Sequence, residues 1–125
     1  MLELIAGLPD DVLGIDAKGD VTGRDYETVL IPAVEEKLSH RMKIRMLYRL
    51  GDEFTGFDAK ALWDDAQVGI RHFPAWERIA VVTDHAWVRG AVRFFGIMMP
   101  GNVRVFGVGD YEQARQWICE ERDID

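Results

Sequence analysis

The sequence predicts an α/β domain in which a mostly parallel sheet carries its helices mainly on one face. Three observations predict this fold. Strand-like and helix-like segments alternate along most of the chain. Arg78 to Thr83, RIAVVT, is a nearly continuous apolar run, which is typical of a central parallel strand. Lys43 to Leu50 alternates apolar with basic residues, which predicts a strand with one solvent-exposed face. The predicted order is β-β-α-β-α-β-α-β-α in a single domain spanning residues 1–125.

The first elements are two strands and a helix. MLELIAGL predicts a short strand that is stopped by Pro9, and Val12 to Ala17 predicts a second strand with KGD as the following turn. Too few residues separate the two strands for a crossover, so we expect an antiparallel pair. Asp25 is expected to cap a helix that runs to about His40, and Pro32 is expected to bend this helix or tighten its start.

The second half of the chain continues the alternation of helices and strands. Apolar residues recur at helical spacing between the strands, and polar or glycine-rich segments separate the elements. The expected elements are a loop at Gly51–Gly56, a helix from Phe57 or Asp58 to about His72, the strand at Arg78–Thr83, a helix at His85–Met99, a strand at Val103–Val108, and a helix at Asp110–Glu121 with Asp110 as its cap.

The composition excludes several classes of protein. Lys and Arg total 15 against 22 for Asp and Glu, which gives a net charge of −7 and argues against nucleic-acid binding. The single Cys119 has no partner for a disulfide and no second cysteine for a metal motif. The amino terminus lacks the features of a signal peptide, and no run of 18 apolar residues is present. We expect a cytoplasmic protein.

Three blocks of sequence, taken together, carry a family resemblance. They are DYETVLIPAVEEKL at Asp25–Leu38, ALWDDAQVGIRHFPAWERIAVVTDHAW at Ala61–Trp87, and VRVF followed by ARQWI near the end. In this order they resemble the SpoIIAA-like family of STAS-domain proteins over nearly the whole chain. The resemblance implies a STAS-like fold and a small, non-enzymatic binding or regulatory module without a cofactor. The family's fold also resembles that of CRAL-TRIO lipid carriers, which implies an apolar ligand or a membrane as the partner.

The phosphorylation switch of some STAS proteins is not expected here. That switch uses a Ser at the start of the helix that follows the third strand. The corresponding segment, GDEFTGFDAKALWDD, contains no Ser, and Thr55 is its one residue that could accept phosphate. Thr55 lies beside Asp52, Glu53 and Asp58, which would repel the added negative charge.

The sequence predicts no catalytic or metal site. Asp84 and His85 follow the central strand, where they fit either a catalytic base with its orienter or a helix cap beside a surface histidine, and we expect the second. The spacing of His40, His72 and His85 matches no set of metal ligands. Ser39 is next to His40, but adjacent residues of a helix do not face one another. The glycines form neither a P-loop nor a dinucleotide fingerprint.

The helix predicted at residues 85–99 is more apolar than packing on a sheet requires. Its last part, Phe94 to Pro100, carries no charge and contains two Phe, one Ile and two Met. Arg89, Arg93 and Arg104 flank this surplus in an otherwise acidic chain, which suits a membrane surface or the entrance of an apolar-ligand site. Burial in a homodimer and burial in the core are the alternatives.

The sequence therefore predicts a non-enzymatic module that binds an apolar or amphiphilic ligand, with peripheral association at the inner face of the membrane through the helix at 86–100. A protein-interaction module in a regulatory or stress pathway, acting as a homodimer or by switching partners, is the alternative. Core packing alone also explains two members of the predicted contact set, Trp63 and Phe73. The full set is Trp63, Phe73, Trp87, Arg89, Arg93, Phe94, Phe95, Met98 and Met99.

Overall fold

A five-stranded sheet with the strand order β1-β2-β3-β4-β5 organises the computed structural model. The structure describes residues 1–61, 63, 64, 67, 75–96 and 102–120, without the side chains of residues 94–96. The strands are β1 (Leu2–Leu4), β2 (Val12–Val21), β3 (Ile44–Phe57), β4 (Trp76–Thr83) and β5 (Val103–Phe106). β1 is antiparallel to β2, and each later strand is parallel to the one before it. The predicted mostly parallel sheet is confirmed.

The helices fill the predicted places between the strands. They are α1 (Gly23–Asp25), a π-helical turn (Tyr26–Leu30), α2 (Ile31–Leu38), α3 (Ala86–Gly96) and α4 (Tyr111–Ile118), which follows a 3-10 turn at Val108–Asp110. Residues 59–61, 63, 64 and 67 are helical as well, and we call them the post-β3 helix. Pro32 lies in the first turn of α2, directly after the π-helical turn, inside a helical run that is continuous from Gly23 to Leu38.

Two strands, β2 and β3, extend well beyond the carboxyl ends that the sequence predicts. The KGD turn after Ala17 is part of β2, and the loop predicted at residues 51–56 is part of β3. The two extensions pair with each other across a register shift, which begins after Ala17 and matches Val21 to Phe57. Gly19 has a φ of +59°, a conformation that glycine adopts without strain. The glycine is therefore needed at an irregularity within the strand and not at a turn.

The sheet is covered on both faces. We call face A the side of β3 that carries Ile44, Met46, Tyr48 and Leu50, and face B the side that carries Arg45, Leu47 and Arg49. Buried residues of the first helical region and of α3 pack on face A: Tyr26, Leu30, Val34 and Val88. Ala114, Trp117 and Ile118 of α4 pack on face B. The helices therefore lie mainly on face A, as predicted, with α4 alone on face B among the described helices.

The prediction that β3 has one solvent-exposed face is wrong. Arg45 is 3% exposed, because α4 lies over face B and surrounds the arginine with hydrogen-bond acceptors. Arg49 is half-buried, and its guanidinium lies 5.5 Å from the centre of the Tyr111 ring of α4. The basic residues of this face are thus packed against a helix and not directed into water.

The cap of the first helix differs from the prediction by three residues. The N-cap is Thr22, and Asp25 is its partner in a capping box. The Thr22 hydroxyl accepts a hydrogen bond from the Asp25 backbone N–H at 3.2 Å, and the Asp25 carboxylate accepts one from the Thr22 backbone N–H at 2.9 Å. Two backbone N–H groups at the start of the helix therefore have acceptors.

The Asp25→Asn variant is expected to lose less stability in acid than the wild type. Burial alone would raise the pKa of Asp25, but hydrogen bonds from the Thr22 N–H, the amino terminus and the Thr22 hydroxyl lower it below its usual value. Ionised Asp25 therefore stabilises the fold above about pH 4, and this contribution is lost as the pH falls through the lowered pKa. Asn keeps an acceptor oxygen but does not titrate. Urea unfolding between about pH 5 and about pH 3 measures the difference, and parallel pH curves would contradict it.

Candidate functional site

Aromatic side chains from β3 and α3 meet at the carboxyl end of the parallel strands. The ring centres of Phe54 and Phe57, near the end of β3, are 4.9 Å apart. Trp87, in the first turn of α3, lies 6.3 Å from Phe54 and 5.9 Å from Phe57. The Phe57 and Trp87 rings are almost perpendicular, with an interplanar angle of 88°. We call Phe54, Phe57 and Trp87 the aromatic corner.

The three rings of the aromatic corner differ sharply in exposure. Phe54 is 2% exposed and belongs to the core of face A, and Phe57 is partly buried. Trp87 is 52% exposed. A large aromatic ring is therefore held against buried rings on one side and presents much of its surface to solvent on the other, an arrangement that favours contact with a ligand or partner.

His85 and Arg89 fix the start of α3 on the ends of the strands. The His85 N–H donates to the Thr83 hydroxyl at 3.1 Å, and Nε2 of His85 lies 3.3 Å from the carbonyl oxygen of Gly51. The His85 ring also meets the Phe54 ring edge-on, with the centres 5.2 Å apart. Arg89 donates to the Thr83 carbonyl oxygen at 2.9 Å. These contacts hold Trp87 in its position over β3.

The three arginines that flank the predicted apolar segment do not form one patch. Arg89 turns back onto the end of β4, whereas Arg93 is exposed on α3. The Arg104 guanidinium lies over two aromatic rings of face B, 5.1 Å from the centre of Phe106 and 5.2 Å from that of Trp117. The sequence could not show this, because neighbours along the chain are placed on opposite faces of the sheet.

The side chains of Asp84 and His85 contact different partners and do not form the base-and-orienter pair that the sequence allows. The Asp84 carboxylate accepts a hydrogen bond from the Val108 N–H at 3.1 Å, whereas the His85 ring contacts Gly51 and Phe54. Asp84 therefore joins the end of β4 to the 3-10 turn before α4. The expectation of a helix cap beside a surface histidine is therefore wrong: the Asp84 carboxylate binds a backbone N–H of another segment, and the half-buried His85 ring packs on β3.

A second constellation, at the end of α2, has the composition of a Ser-His-Asp triad. The Ser39 hydroxyl lies 3.3 Å from Nδ1 of His40, and Nε2 of His40 lies 3.5 Å from the Asp10 carboxylate. Ser39 and His40 can contact each other because α2 ends at Leu38 and they lie beyond the helix. However, Ser39 donates its hydroxyl proton to the Glu36 carbonyl oxygen at 2.6 Å. The hydroxyl is therefore not arranged to give that proton to His40.

Asp10 has its own strong partner in this second constellation. Arg41 donates to the Asp10 carboxylate from Nε at 3.0 Å and from Nη2 at 2.8 Å. This hydrogen bonding and the charge of Arg41 lower the pKa of Asp10 below its usual value. The constellation is an exposed ion-pair network that links α2 to the loop before β2.

The described part of the chain has neither a cluster of metal ligands nor a membrane-spanning helix. Among the described residues, no group of three or more His, Cys, Asp and Glu side chains is arranged to hold a metal ion. Within that part of the chain, no helix is long and apolar enough to cross a bilayer.

The structure describes part of the predicted contact set. Trp63, in the post-β3 helix, is 63% exposed. Trp87 belongs to the aromatic corner, and Arg89 and Arg93 lie on α3 as described above. The backbone of Phe94 and Phe95 is helical, but their side chains lie outside the described residues. Phe73, Met98 and Met99 also lie outside the described residues.

Sequence analysis missed Phe54 and Phe57 as members of the site. Both lie in the segment that was predicted to be a loop or the start of a helix. The signal that could have found them is the occurrence of two Phe residues in GDEFTGF, since a solvent-exposed loop rarely needs two large apolar side chains. Thr55, between them, donates its hydroxyl to the Asp20 carboxylate at 2.6 Å.

Comparison with known proteins identifies the family of this fold. The family model for SpoIIAA-like proteins matches residues 12–119. The chain belongs to the SpoIIAA-like family. It is similar to the crystal structure of an uncharacterized protein of the DUF3478 family with a SpoIIAA-like fold from Shewanella loihica PV-4, with a TM-score of 0.75 and 26% identity over 95% of this chain and 93% of that chain. No curated protein matches the sequence.

The family assignment confirms the STAS-like fold and gives a coarse function. SpoIIAA-like domains are generally regulatory or interaction modules and are generally non-enzymatic. The arrangement of side chains is consistent with this role, because the two constellations with catalytic composition have other partners. The aromatic corner is the described feature best suited to recognition.

Proposed function

We propose that this SpoIIAA-like protein is a binding module that takes an apolar or amphiphilic ligand on the aromatic corner. The observation that carries the proposal is the exposure of Trp87, at 52%, on a support of Phe54 and Phe57. A rigid aromatic ring with one free surface loses little conformational freedom when a ligand covers it. The position also fits, because ligands of open α/β sheets bind beyond the carboxyl ends of the strands.

The size of the exposed ring sets the expected strength of this contact. A Trp side chain can bury about 150–250 Å², so the free half of Trp87 offers ~100 Å² to a ligand. Covering it contributes at most ~2.5 kcal/mol at ~25 cal/mol per Å². A ligand covers only part of this surface, so removal of the ring should weaken binding by about tenfold, which corresponds to about 1.4 kcal/mol.

A free ligand is favoured over an anionic membrane surface. A membrane-bound segment of this kind needs several basic side chains near the lipid headgroups. Arg89 is hydrogen-bonded to the end of β4, and Arg104 stacks on the rings of face B. Of the three arginines, Arg93 alone remains as an exposed charge on α3 without a described role in the fold.

The Trp87→Ala variant is expected to bind an uncharged amphiphile about tenfold more weakly than the wild type. The measurement is isothermal titration calorimetry with dodecyl maltoside, kept below its micelle concentration. Met42→Ala is the matched control, because Met42 is 91% exposed and precedes β3 at the opposite end of the strand. This control should bind as the wild type does. Equal affinity of wild type and Trp87→Ala would contradict the proposal.

Two further measurements separate the proposal from the alternatives. Circular dichroism must show that Trp87→Ala keeps its fold, since the ring also packs on Phe54 and Phe57. Native mass spectrometry of freshly purified protein reports a co-purified amphiphile and the oligomeric state together. A homodimer that Trp87→Ala converts to a folded monomer would show that the exposed ring is a subunit contact, and the interaction module would replace the ligand-binding module.

A further inference from the structure

The aromatic corner lies at an acidic end of the molecule. Three parallel strands end here, and each continues into a helix. β2 leads into the first helix, β3 into the post-β3 helix, and β4 into α3. Among the described residues of these segments, carboxylates outnumber basic side chains: Asp20, Asp25, Glu27, Asp52, Glu53, Asp58, Asp64 and Asp84 stand against Lys18, Arg24, Lys60 and Arg89.

The basic side chains closest to the corner along the chain have partners already. Lys60 forms an ion pair with Glu27, and the Arg89 guanidinium, which keeps its charge, is directed to the carbonyl oxygen of Thr83 at the end of β4. Asp52 and Glu53, in contrast, are exposed and directly precede Phe54 of the corner. Glu53 forms an ion pair with Lys18 of β2 at 3.7 Å, but this pair is partly exposed and is screened by water. The potential around Trp87 is therefore expected to be negative, which attracts cations and repels anions.

The geometry of the corner adds a second preference for a cation. The face of a Trp ring carries negative charge density and is the strongest cation–π partner among the side chains. Trp87 is 52% exposed, and the plane of the Phe57 ring is at 88° to that of Trp87. The two rings therefore form two walls at a right angle. Alkylated ammonium groups fit such aromatic walls because they are weakly hydrated and their charge is spread over the surrounding methyl or methylene groups.

We propose that the ligand of the aromatic corner carries a cationic head, an alkylated or quaternary ammonium group, on its apolar chain. This inference rests on the proposed function and narrows the ligand class from any amphiphile to a free alkylammonium compound. The ring of Trp87 and the carboxylates before Phe54 recognise the head, and apolar surface recognises the chain.

Three probes with the same dodecyl chain test the charge of the head. They are dodecyltrimethylammonium, dodecyl maltoside and dodecanoate, each titrated calorimetrically below its micelle concentration into wild-type protein. We expect the trimethylammonium probe to bind about fivefold tighter than the uncharged probe, and dodecanoate to bind more weakly than both. The advantage of the cation should decrease at high salt, since part of it is Coulombic.

Matched variants locate the source of the preference. Asp52→Asn combined with Glu53→Gln should weaken binding of the trimethylammonium probe and leave dodecyl maltoside unchanged. Glu35→Gln combined with Glu36→Gln is the control, because it changes the net charge equally at exposed positions of α2, away from the corner. Trp87→Leu, which keeps an apolar side chain but removes the π face, should reduce the preference for the cation.

The outcomes distinguish this inference from the function on which it rests. If dodecyl maltoside or dodecanoate binds as tightly as the trimethylammonium probe, and binding depends on Trp87, the cationic head is wrong and the amphiphile-binding module stands. If none of the three probes binds, both proposals fail. If both pairs of carboxylate variants lower the affinity equally, the preference is a property of the net charge and the assignment to the corner is overturned. Co-sedimentation with phosphatidylcholine vesicles would make a membrane lipid the occupant and would also overturn the proposal of a free ligand.

Discussion

Replacing Arg45 by Leu is expected to lower the free energy of unfolding by about 3–5 kcal/mol, the range found when a buried charge network loses one partner. The Arg45 side chain is 4% exposed and forms an ion pair with Glu77 at 2.6 Å. It also donates to the carbonyl oxygens of Ile118 at 3.0 Å and of Glu120 at 2.6 Å. Leu fills part of the volume but donates no hydrogen bond, so the carbonyl oxygens of Ile118 and Glu120 would lose the hydrogen bonds from Arg45.

The expected loss of stability is large because Arg45 donates hydrogen bonds to the carboxyl end of α4 and also pairs with Glu77. The last carbonyl groups of a helix have no N–H partner within the helix. Arg45 donates to the carbonyl oxygen of Ile118, the last residue of α4, and to that of Glu120 just beyond the helix. Arg78 donates to the Trp117 carbonyl oxygen at 2.8 Å. A cation at a helix carboxyl terminus also interacts favourably with the helix dipole. The arginine therefore holds α4 against face B of the sheet.

Urea denaturation, followed by far-UV circular dichroism, measures this effect. Arg41→Leu is the matched control, because it removes an arginine whose ion pair with Asp10 is exposed and should change stability little. Equal losses in the two variants would contradict a special role for the buried arginine. A loss confined to the indole N–H signal of Trp117 in NMR spectra would instead show that α4 detaches while the sheet remains folded.

The order of the elements was predictable, because it depends on local signals. The continuous apolar run of β4 and the helical spacing of the segments around it are properties of short stretches of sequence. The length of β3 was not predictable in the same way. Gly51 and Gly56 indicate a loop when taken alone, and they became part of a strand because the distant residues Gly19 to Val21 pair with this segment.

The burial of Arg45 shows a second limit of sequence analysis. Alternation of apolar and basic residues predicts a strand with one polar face, and the pattern is the same whether water or another helix covers that face. In this protein α4 covers the face. Carbonyl oxygens at its carboxyl end accept hydrogen bonds from Arg45, which is more than 70 residues away along the chain. Such long-range pairing leaves no trace in the local pattern.

The candidate site was predictable in part for related reasons. Trp87 could be identified because its helix has more apolar side chains than one stripe can bury, and Trp87 lies outside that stripe. Its supporting rings, Phe54 and Phe57, could not, because their place depends on the extension of β3. The grouping of Arg89 with Arg104 was suggested by their closeness in sequence, and the crossover from α3 to β5 separates them.

The Phe54→Ala variant is expected to lose about 3–5 kcal/mol of stability and to bind dodecyl maltoside more weakly. Phe54 is 2% exposed, so its removal leaves a cavity in the core of face A. Its ring also contacts Phe57, Trp87 and His85. Without this support Trp87 is no longer held in one orientation, and a ligand must then pay the entropy of fixing it.

Phe106→Ala separates the two effects of Phe54. Phe106 is 8% exposed and packs against Trp117 on face B, so its removal should cost a comparable amount of stability. It has no contact with the aromatic corner in the described structure, so its affinity for dodecyl maltoside should equal that of the wild type. Urea denaturation gives the stability of both variants, and calorimetry at low temperature, where both remain folded, gives their affinities. If Phe54→Ala binds as tightly as Phe106→Ala, Trp87 does not depend on the ring beneath it, and the aromatic corner does not act as a unit.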